Sequence, residues 1–341
     1  MGNTLVGLGT QLRVPKIGYG AMSLAGAYGG IDDASALELL NALIGEGVTF
    51  IDTANVYGDG RSEELVGRFL KAHRDEVTVA TKVGIVAGGG VGQRGIRGDR
   101  EYIHEQVEHS LRRLGTDRID LYYQHRIDPD VPIEETVGAL AELVQAGKVL
   151  NIGLSEATGE ELRRAHAVHP IAAVQSEWSV LSRDVEAHVV PVAAELGIGF
   201  VSYASVGRGL FGTGFDPAAL AAGDGRHRFP RFFPENLQAN IELAKEVAEV
   251  AGRHGVSTEE VALAWLFAKG EEFGVQLNTI PGTRTLAHLR SNLRSLELVL
   301  TPADIARLDT LADRVRGARS PAPHQVSGGR EGLIETEAVP A

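Results

Sequence analysis

The sequence predicts a (β/α)8 TIM barrel, an α/β fold, because eight short apolar runs alternate with longer amphipathic segments. Short apolar runs are typical of buried strands, and apolar residues spaced about 3.6 apart are typical of helices. Mostly apolar strands that alternate with helices indicate a parallel sheet covered by helices. Eight such units are the number that closes a barrel. A length of 341 residues suits one large barrel, although two ordinary domains would also fit it.

The predicted strands are the apolar runs at 16–19, 49–52, 77–82, 119–124, 149–154, 172–175, 199–203 and 276–281. The predicted helices lie near 34–46, 61–73, 100–114, 133–146, 159–168, 184–196, 236–254, 258–269 and 284–294. Acidic residues after Ser62 and Ser257 face the positive end of a helix dipole, and Gly147 follows a helix end. Ahead of the barrel, 4–9 and 11–14 predict an N-terminal β-hairpin, which we expect to close the barrel bottom.

Two segments interrupt this alternation. Residues 207–234 form a long stretch after strand 7 that is rich in Gly, Pro and Arg, which predicts a functional loop. From residue 318 onward Pro, Gly, Ser and Glu dominate without periodicity, which predicts a disordered tail over 318–341. The barrel domain is therefore expected to span residues 1–317.

Composition restricts the classes of function. The formal net charge of −12 argues against a nucleic-acid partner, which needs a clustered basic face. Cysteine is absent, which excludes disulfides, and the histidines lack metal-ligand spacing, so we expect no metal. No apolar run reaches the ~18 residues of a membrane span, and the N-terminus lacks a secretory pattern. We therefore expect a cytoplasmic protein without a membrane partner.

Four polar residues stand at or just after the ends of three predicted strands: Asp52, Tyr57, Lys82 and His125. An ammonium near a phenol stabilises the phenolate and makes proton donation easier, so Lys82 would tune Tyr57. Asp52 would hold Lys82 charged, and His125 would orient a substrate oxygen. This chemistry suits protonation of a carbonyl oxygen as hydride arrives at its carbon. On spacing alone, an ordinary strand-end ion pair with a hydrogen-bonded histidine explains these residues equally well.

The same residues lie in a series of motifs that resembles the aldo-keto reductase superfamily. The motifs are FIDTANVYG at 50–58, ATKVG at 80–84, LYYQHR at 121–126, PIEET at 132–136, GKV at 147–149, GLSE at 153–156 and IPGTR at 280–284. The resemblance extends in order over roughly residues 10 to 315. It implies a barrel that reduces an aldehyde or ketone to an alcohol with NADPH, which becomes NADP+.

The resemblance also implies a role for each site residue. Tyr57 would be the general acid, Lys82 and Asp52 its tuning pair, and His125 the orienting group. The implied cofactor contacts are Ala21, Met22, Asp52, Ser155, Gln175, Tyr203, Ser205, Gly207, Arg208, Gly209, Gly282, Thr283, Arg284, His288 and Asn292. Ser155 and Gln175 would hold the carboxamide of nicotinamide, and Tyr203 would stack on its ring, unless Tyr203 is simply a core aromatic.

Two segments suit phosphate groups. Residues 207–212 match GxGxxG, but no helix begins there and no acidic residue ends a second strand, so a Rossmann fold is rejected. The resemblance implies that this loop cradles the cofactor pyrophosphate. Arg284 and His288 lie at the start of the last predicted helix, whose N-terminus favours anions. Together they suit the 2′-phosphate of NADP, although Arg284 is alternatively an ordinary surface base.

The predicted site departs from the family pattern at two positions and is least defined on the substrate side. Glu156 stands where many relatives have Asn, and Ser291 where many have a Glu that contacts adenine. Residues that form either apolar pocket walls or core are Met22, Trp178, Phe211, Phe232 and Phe233. The basic cluster Arg226, His227, Arg228 and Arg231 would attract an anionic substrate or help to close over the cofactor.

Two other functions remain compatible with the sequence. One is a nicotinamide-binding regulatory or sensor subunit on the same barrel, with little turnover. The other is a non-redox phosphate-binding barrel such as an isomerase, which leaves Tyr203, Ser155 and Gln175 unexplained. The sequence predicts a small-molecule carbonyl substrate without naming it, and it specifies neither the direction of the reaction nor the oligomeric state.

Overall fold

Eight parallel strands form the predicted barrel in a computed structural model that describes residues 3–26, 28–86, 95–220 and 223–332. The hairpin strands are β1 (Leu5–Leu8) and β2 (Leu12–Pro15). The barrel strands are β3 (Tyr19–Gly20), β4 (Phe50–Asp52), β5 (Thr78–Val83), β6 (Leu121–Gln124), β7 (Ile152–Ser155), β8 (Ile171–Glu177), β9 (Gly199–Tyr203) and β10 (Leu277–Thr279). They pair in sequence order from β3 to β10, so that successive βα units lie side by side.

Helices surround the barrel close to their predicted positions. They are α1 (Asp33–Gly45), α2 (Arg61–His73), α3 (Arg100–Leu114), α4 (Ile133–Gln145), α5 (Gly159–Val168), α6 (Val185–Leu196), α7 (Pro234–His254), α8 (Thr258–Glu272), α9 (Leu286–Arg294) and α10 (Pro302–Asp309). The sequence analysis missed α10, which no strand follows. Local chemistry sets many of the ends: Thr158 and Glu161 form a capping box at the start of α5, and Ser257 caps α8.

The barrel closes between its first and eighth strands. Ile17, just before β3, pairs with Thr279 of β10 in a parallel bridge. The Gly18 amide donates to the Thr279 carbonyl at 2.8 Å. A Cβ on Gly18 would lie 2.7 Å from the Phe50 ring, and one on Gly20 would lie 2.5 Å from the Ile280 carbonyl oxygen. Glycine is therefore required for the close approach of the strands at this seam.

The hairpin closes the bottom of the barrel, as predicted. β1 and β2 pair antiparallel with Val6 opposite Val14, and both side chains are buried. They pack with Leu8 in a core inside the barrel, together with Phe50 and Tyr123. A second, larger core fills the space between the strands and the surrounding helices. The hairpin therefore leaves the opposite end, where the strands finish, as the open face.

The C-terminal segment corrects the prediction of a disordered tail. Residues 318–332, here called the C-terminal strap, fold across the open face of the barrel. Arg319 is 8% exposed and makes two 2.9 Å hydrogen bonds to the carboxylate of Glu156, which is fully buried. Arg319 also donates to Asp184, and Arg330 donates to Glu161. The rest of the predicted tail, 333–341, lies outside the described residues.

Among the residues that the structure describes, no helix is both long and apolar enough to span a membrane.

We predict that Arg319→Met lowers the free energy of unfolding by about 3–5 kcal/mol, because the buried Glu156 carboxylate loses its partner cation. Denaturant unfolding measures this loss, and limited proteolysis of the native protein should show earlier cleavage within the strap. The double variant Glu156→Gln/Arg319→Met should lose less stability, since no unpaired charge stays buried.

Arg163→Met is the matched control, because Arg163 also pairs with a glutamate, Glu195, but at the surface. Exposed pairs contribute only about 0–1 kcal/mol. If Arg163→Met and Arg319→Met lowered the free energy of unfolding equally, Arg319 would not be the residue that anchors the strap. Burial opposes ionisation of Glu156, but Arg319 outweighs it and holds the pKa of that carboxyl well below its usual range. The pair therefore stabilises the fold above the ordinary carboxyl pKa and is lost only in strong acid.

Candidate active site

A cavity of about 1280 Å³ opens at the carboxyl ends of the barrel strands. Three of the four predicted catalytic residues line it: Asp52, Tyr57 and His125. Of the predicted cofactor contacts, the lining includes Met22, Asp52, Ser155, Gln175, Tyr203, Ser205, Arg208, Gly209, Gly282, Thr283, Arg284, His288 and Asn292. Lys82, Ala21 and Gly207 do not reach the cavity surface. The structure thus brings nearly the whole predicted set into one cavity.

Lys82 lies fully buried behind the cavity wall and donates to three oxygen atoms. Its Nζ contacts Asp52 Oδ1 in a short ion pair, the Thr53 carbonyl oxygen at 2.8 Å and the Tyr57 hydroxyl at 3.5 Å. An ammonium carries three N–H donors, so the arrangement fits a charged lysine. Gln175 Nε2 donates to the other carboxylate oxygen of Asp52 at 2.8 Å. The pair is therefore fixed from both sides.

Burial and charge compete in setting the proton affinities of these groups. Burial taken alone lowers the pKa of Lys82, but the negative charge of Asp52 outweighs it, so the Lys82 pKa is raised. Burial raises the pKa of Asp52 against the opposing effect of Lys82. The donor geometry at Nζ settles the charge state in favour of an ammonium facing a carboxylate.

Lys82, which the sequence predicts to ease proton donation by Tyr57, does not by itself set the pKa of that phenol. Lys82 does act to lower the pKa of Tyr57, but burial outweighs it and raises that pKa above its ordinary value. The larger effect is the loss of solvent around the phenol, which the sequence does not show. Tyr57 consequently keeps its proton across the neutral range, which is the form that a general acid requires.

His125 lies beside Tyr57 at the mouth of the cavity. The two rings meet edge to face, with centroids 5.8 Å apart. The His125 amide donates to the Val83 carbonyl at 2.7 Å, which fixes the backbone at the end of β6 against β5. A carbonyl oxygen in the cavity therefore has two polar groups next to it, a phenol and an imidazole.

Glu156, the first of the two departures from the family pattern, does not line the cavity. Its backbone adopts a positive φ of 59° just after β7, and its carboxylate accepts hydrogen bonds from Arg319. The Tyr203 hydroxyl also donates to it, at 2.7 Å. Ser155 and Gln175, at the ends of the neighbouring strands, line the cavity. The glutamate at position 156 is visible in the sequence, but no local pattern connects it with Arg319, 163 residues later.

One wall of the cavity, where the sequence predicts a phosphate site, is formed by residues before and within α9. Arg284 is exposed to the cavity and donates only a weak 3.3 Å hydrogen bond to the Gly30 carbonyl oxygen. The Thr285 side chain caps α9 by accepting from the His288 amide. Asn292 is buried and lines the same wall. Ser291 instead turns to α8 and donates to Glu259 at 2.9 Å.

The glycine-rich loop at 207–212 is held partly by backbone hydrogen bonds to neighbouring residues of the same loop. The amides of Gly207 and Gly209 donate to carbonyl oxygens of the same loop, at 2.8 and 3.1 Å. Arg208 pairs with the buried Glu177 at 2.6 Å and stacks over the Phe229 ring. These groups hold the loop in place, and Arg208 is paired with Glu177, which Arg231 also contacts. The predicted contacts of Gly207, Gly209 and Arg208 with a pyrophosphate remain predictions.

For most of the aromatic residues that the sequence left open as pocket wall or core, the structure shows that they do not form the cavity wall. Trp178, Phe211 and Phe232 are buried in the core and, like Phe233, do not line the cavity, whereas Met22 does. The apolar wall is instead formed by Tyr28, Val56, Ile85, Leu220, Phe229, Ala322 and Val326.

Only some members of the basic cluster in the long loop line the cavity. Arg226 and Arg228 line the cavity, whereas Arg231 turns away from it and donates to Ser182 and Leu181. Sequence reasoning also assigned no role to Arg126, although it stands beside His125 in the quoted motif. Among the described residues, no group of His, Asp or Glu side chains is arranged to hold a metal ion.

Comparison with known proteins agrees with this geometry. A family model described as "Aldo/keto reductase family" matches residues 16–313. "Probable aldo-keto reductase 1" from Glycine max is 42% identical over 306 residues, which cover 89% of this chain and 87% of the relative.

Solved structures show the same likeness. The glycerol dehydrogenase AKR11B4 from Gluconobacter oxydans superposes with a TM-score of 0.80 at 26% identity, covering 94% of this chain and 99% of that one. The thermostable aldo-keto reductase Tm1743, solved with the inhibitor epalrestat, superposes with a TM-score of 0.71 at 28% identity, covering 90% and 99%. Since the family model spans most of the chain and the site residues converge on one cavity, the chain belongs to the aldo/keto reductase family.

Proposed function

We propose that this protein reduces an aldehyde or ketone to an alcohol with NADPH, and that Tyr57 is the general acid. The observation that carries the proposal is the contact of the Tyr57 hydroxyl with the buried Lys82–Asp52 pair at the wall of the cavity. A cation fixed behind a phenol stabilises the negative charge that develops on the phenol oxygen as the proton leaves.

The cavity fits a dinucleotide together with a small substrate. Pockets for one small molecule enclose about 300–1,000 Å³, and this one is larger, at about 1280 Å³. Ser155, Gln175 and Tyr203 would hold the nicotinamide end, and Arg284, His288 and the N-terminus of α9 would hold a phosphate at the other end. When bound, the nicotinamide supplies the hydride.

The residues of the chain supply the proton and its control. The substrate oxygen accepts a hydrogen bond from Tyr57, and His125 orients it from the neighbouring strand end. As the carbonyl carbon is reduced, the Tyr57 proton moves to the oxygen and the alcohol forms. Lys82 stabilises the resulting phenolate, while Asp52 and Gln175 keep Lys82 in position.

A sensor function on the same barrel is the alternative. It requires nicotinamide binding but no proton donor. The fixed Lys82–Tyr57 contact favours turnover, because a sensor has no use for a phenol supported by a buried cation.

We predict that Tyr57→Phe lowers kcat for carbonyl reduction by about 10²-fold or more, because the general acid is lost. The dissociation constant for NADPH should stay within about two-fold, since the ring remains. In the wild type kcat should fall as the pH rises through the Tyr57 pKa, because only the protonated phenol donates. Steady-state kinetics against pH, with fluorescence titration of NADPH, measure both effects.

Tyr123→Phe is the matched control, because its ring lies 5.8 Å from Lys82 Nζ but does not line the cavity. It should keep near wild-type kcat. Equal rates for Tyr57→Phe and the wild type would exclude the mechanism. Tight NADPH binding with negligible turnover on any carbonyl would favour the sensor function instead.

We predict that the protein binds NADPH more tightly than NADH, and that Arg284→Met weakens NADPH binding by about 10-fold or more through loss of a charge-assisted hydrogen bond. NADH binding should change little, because NADH lacks the 2′-phosphate. Arg290→Met is the control, since Arg290 lies on α9, which begins just after Arg284, but pairs with Glu46 outside the cavity. Equal affinity of the wild type for both nucleotides would refute the assignment of Arg284.

A further inference from the structure

Arg126 is a half-buried cation at the reaction end of the cavity. It follows His125 directly and lines the cavity with Tyr57 and Ser155. Its Nη1 donates to the His125 carbonyl oxygen at 2.6 Å and to Ser155 Oγ at 3.2 Å. In the parts of the chain that the structure describes, Nε and Nη2 have no protein partner and no carboxylate pairs with this guanidinium. Two donors of a fixed fork are therefore left for a ligand.

The other buried or half-buried arginines around this face contact a carboxylate, and Arg208 and Arg231 share Glu177. Arg208 pairs with Glu177 at 2.6 Å, Arg226 with Asp224 at 2.7 Å, and Arg319 with Glu156 at 2.9 Å. Burying a cation costs free energy unless an anion accompanies it. Arg126 departs from this rule at the place where a substrate would lie.

The carboxylates near Arg126 already have other hydrogen-bond partners. Glu156 is influenced by the charge of Arg126, but its oxygens are occupied by Arg319 and Ser327. Asp52 is held by Lys82 and Gln175. The field of Arg126 also reaches Tyr57, where burial raises the pKa and Arg126 is among the charges that oppose it. The unpaired charge thus acts on the reacting group itself.

Resting on the proposed reductase function, we propose that Arg126 binds a carboxylate of the substrate, so that the preferred substrates are oxo acids with the carboxylate a few bonds from the carbonyl. The planar guanidinium fork matches a carboxylate with two parallel hydrogen bonds. Such a contact fixes the carbonyl carbon and oxygen relative to Tyr57 and His125, since one end of the substrate is held beside the residue that orients the other.

The test compares each acid with its own methyl ester, which removes the charge and keeps the carbonyl. The pairs are glyoxylate and succinic semialdehyde with their methyl esters, assayed with NADPH on wild type, Arg126→Met, Arg126→Lys and Arg228→Met. In at least one pair the wild type should prefer the acid by about 10-fold or more in kcat/KM, as a charge-assisted contact provides. Arg126→Met should abolish this preference by lowering kcat/KM for the acid by about 10-fold or more relative to the ester, and Arg126→Lys should restore part of it.

Arg228 is the comparison because it is another arginine of the cavity wall without a carboxylate partner among the described residues. Loss of the acid preference in Arg228→Met, with retention in Arg126→Met, would place the anion site in the long loop and overturn the proposal. Equal kcat/KM for acids and esters in the wild type would also overturn it while leaving the reductase function intact.

Absence of turnover with all of these compounds counts against the reductase function instead. Calorimetric titration of the NADPH-loaded protein with succinate then tests Arg126 separately. Binding by the wild type that disappears in Arg126→Met supports the carboxylate site, and equal binding by both proteins overturns it.

Discussion

Closure of the barrel between β3 and β10 is the constraint on which the site depends. The residues after β3 and those after β10 are separated by most of the chain, yet the Tyr19 hydroxyl donates to the Thr283 carbonyl at 2.8 Å and Ser23 donates to the same oxygen at 3.0 Å. This seam brings Met22 and Arg284 to one cavity wall. Without closure, the strand-end residues would lie along an open sheet edge and could not surround a ligand.

At this face of the barrel, a buried cation forms an ion pair with a carboxylate. Lys82 has Asp52, and Arg319 has Glu156, in a chain whose net charge is already −12. Three arginines of the cavity wall, Arg126, Arg228 and Arg284, have no such partner among the described residues. The positive charge left over is therefore concentrated where ligands bind, and this favours anionic ligands at both ends of the cavity.

The sequence predicts those parts of the protein that depend on local periodicity and misses those that depend on distant contacts. The eight strands, nine of the ten described helices and the hairpin follow from hydrophobic spacing, and strand ends place Asp52 and Lys82 at the site. The strap lacks periodicity, because the ion pair that orders it joins residues 163 positions apart. The sequence left Trp178 open as a wall or a core residue, because only the path of the loop after its strand decides that its side chain is buried.

The position of the strap depends on the glutamate at position 156 through one buried ion pair. The strap begins after residue 313, where the match to the family model ends, and it contributes Ala322 and Val326 to the cavity wall. A glutamate buried at 156 without Arg319 would carry an unpaired charge, and Arg319 without Glu156 would lose its main anchor. Each residue is therefore tolerated only with the other. The pair holds the strap at the open face, where Ala322 and Val326 line the cavity beside Ser155 and Gln175.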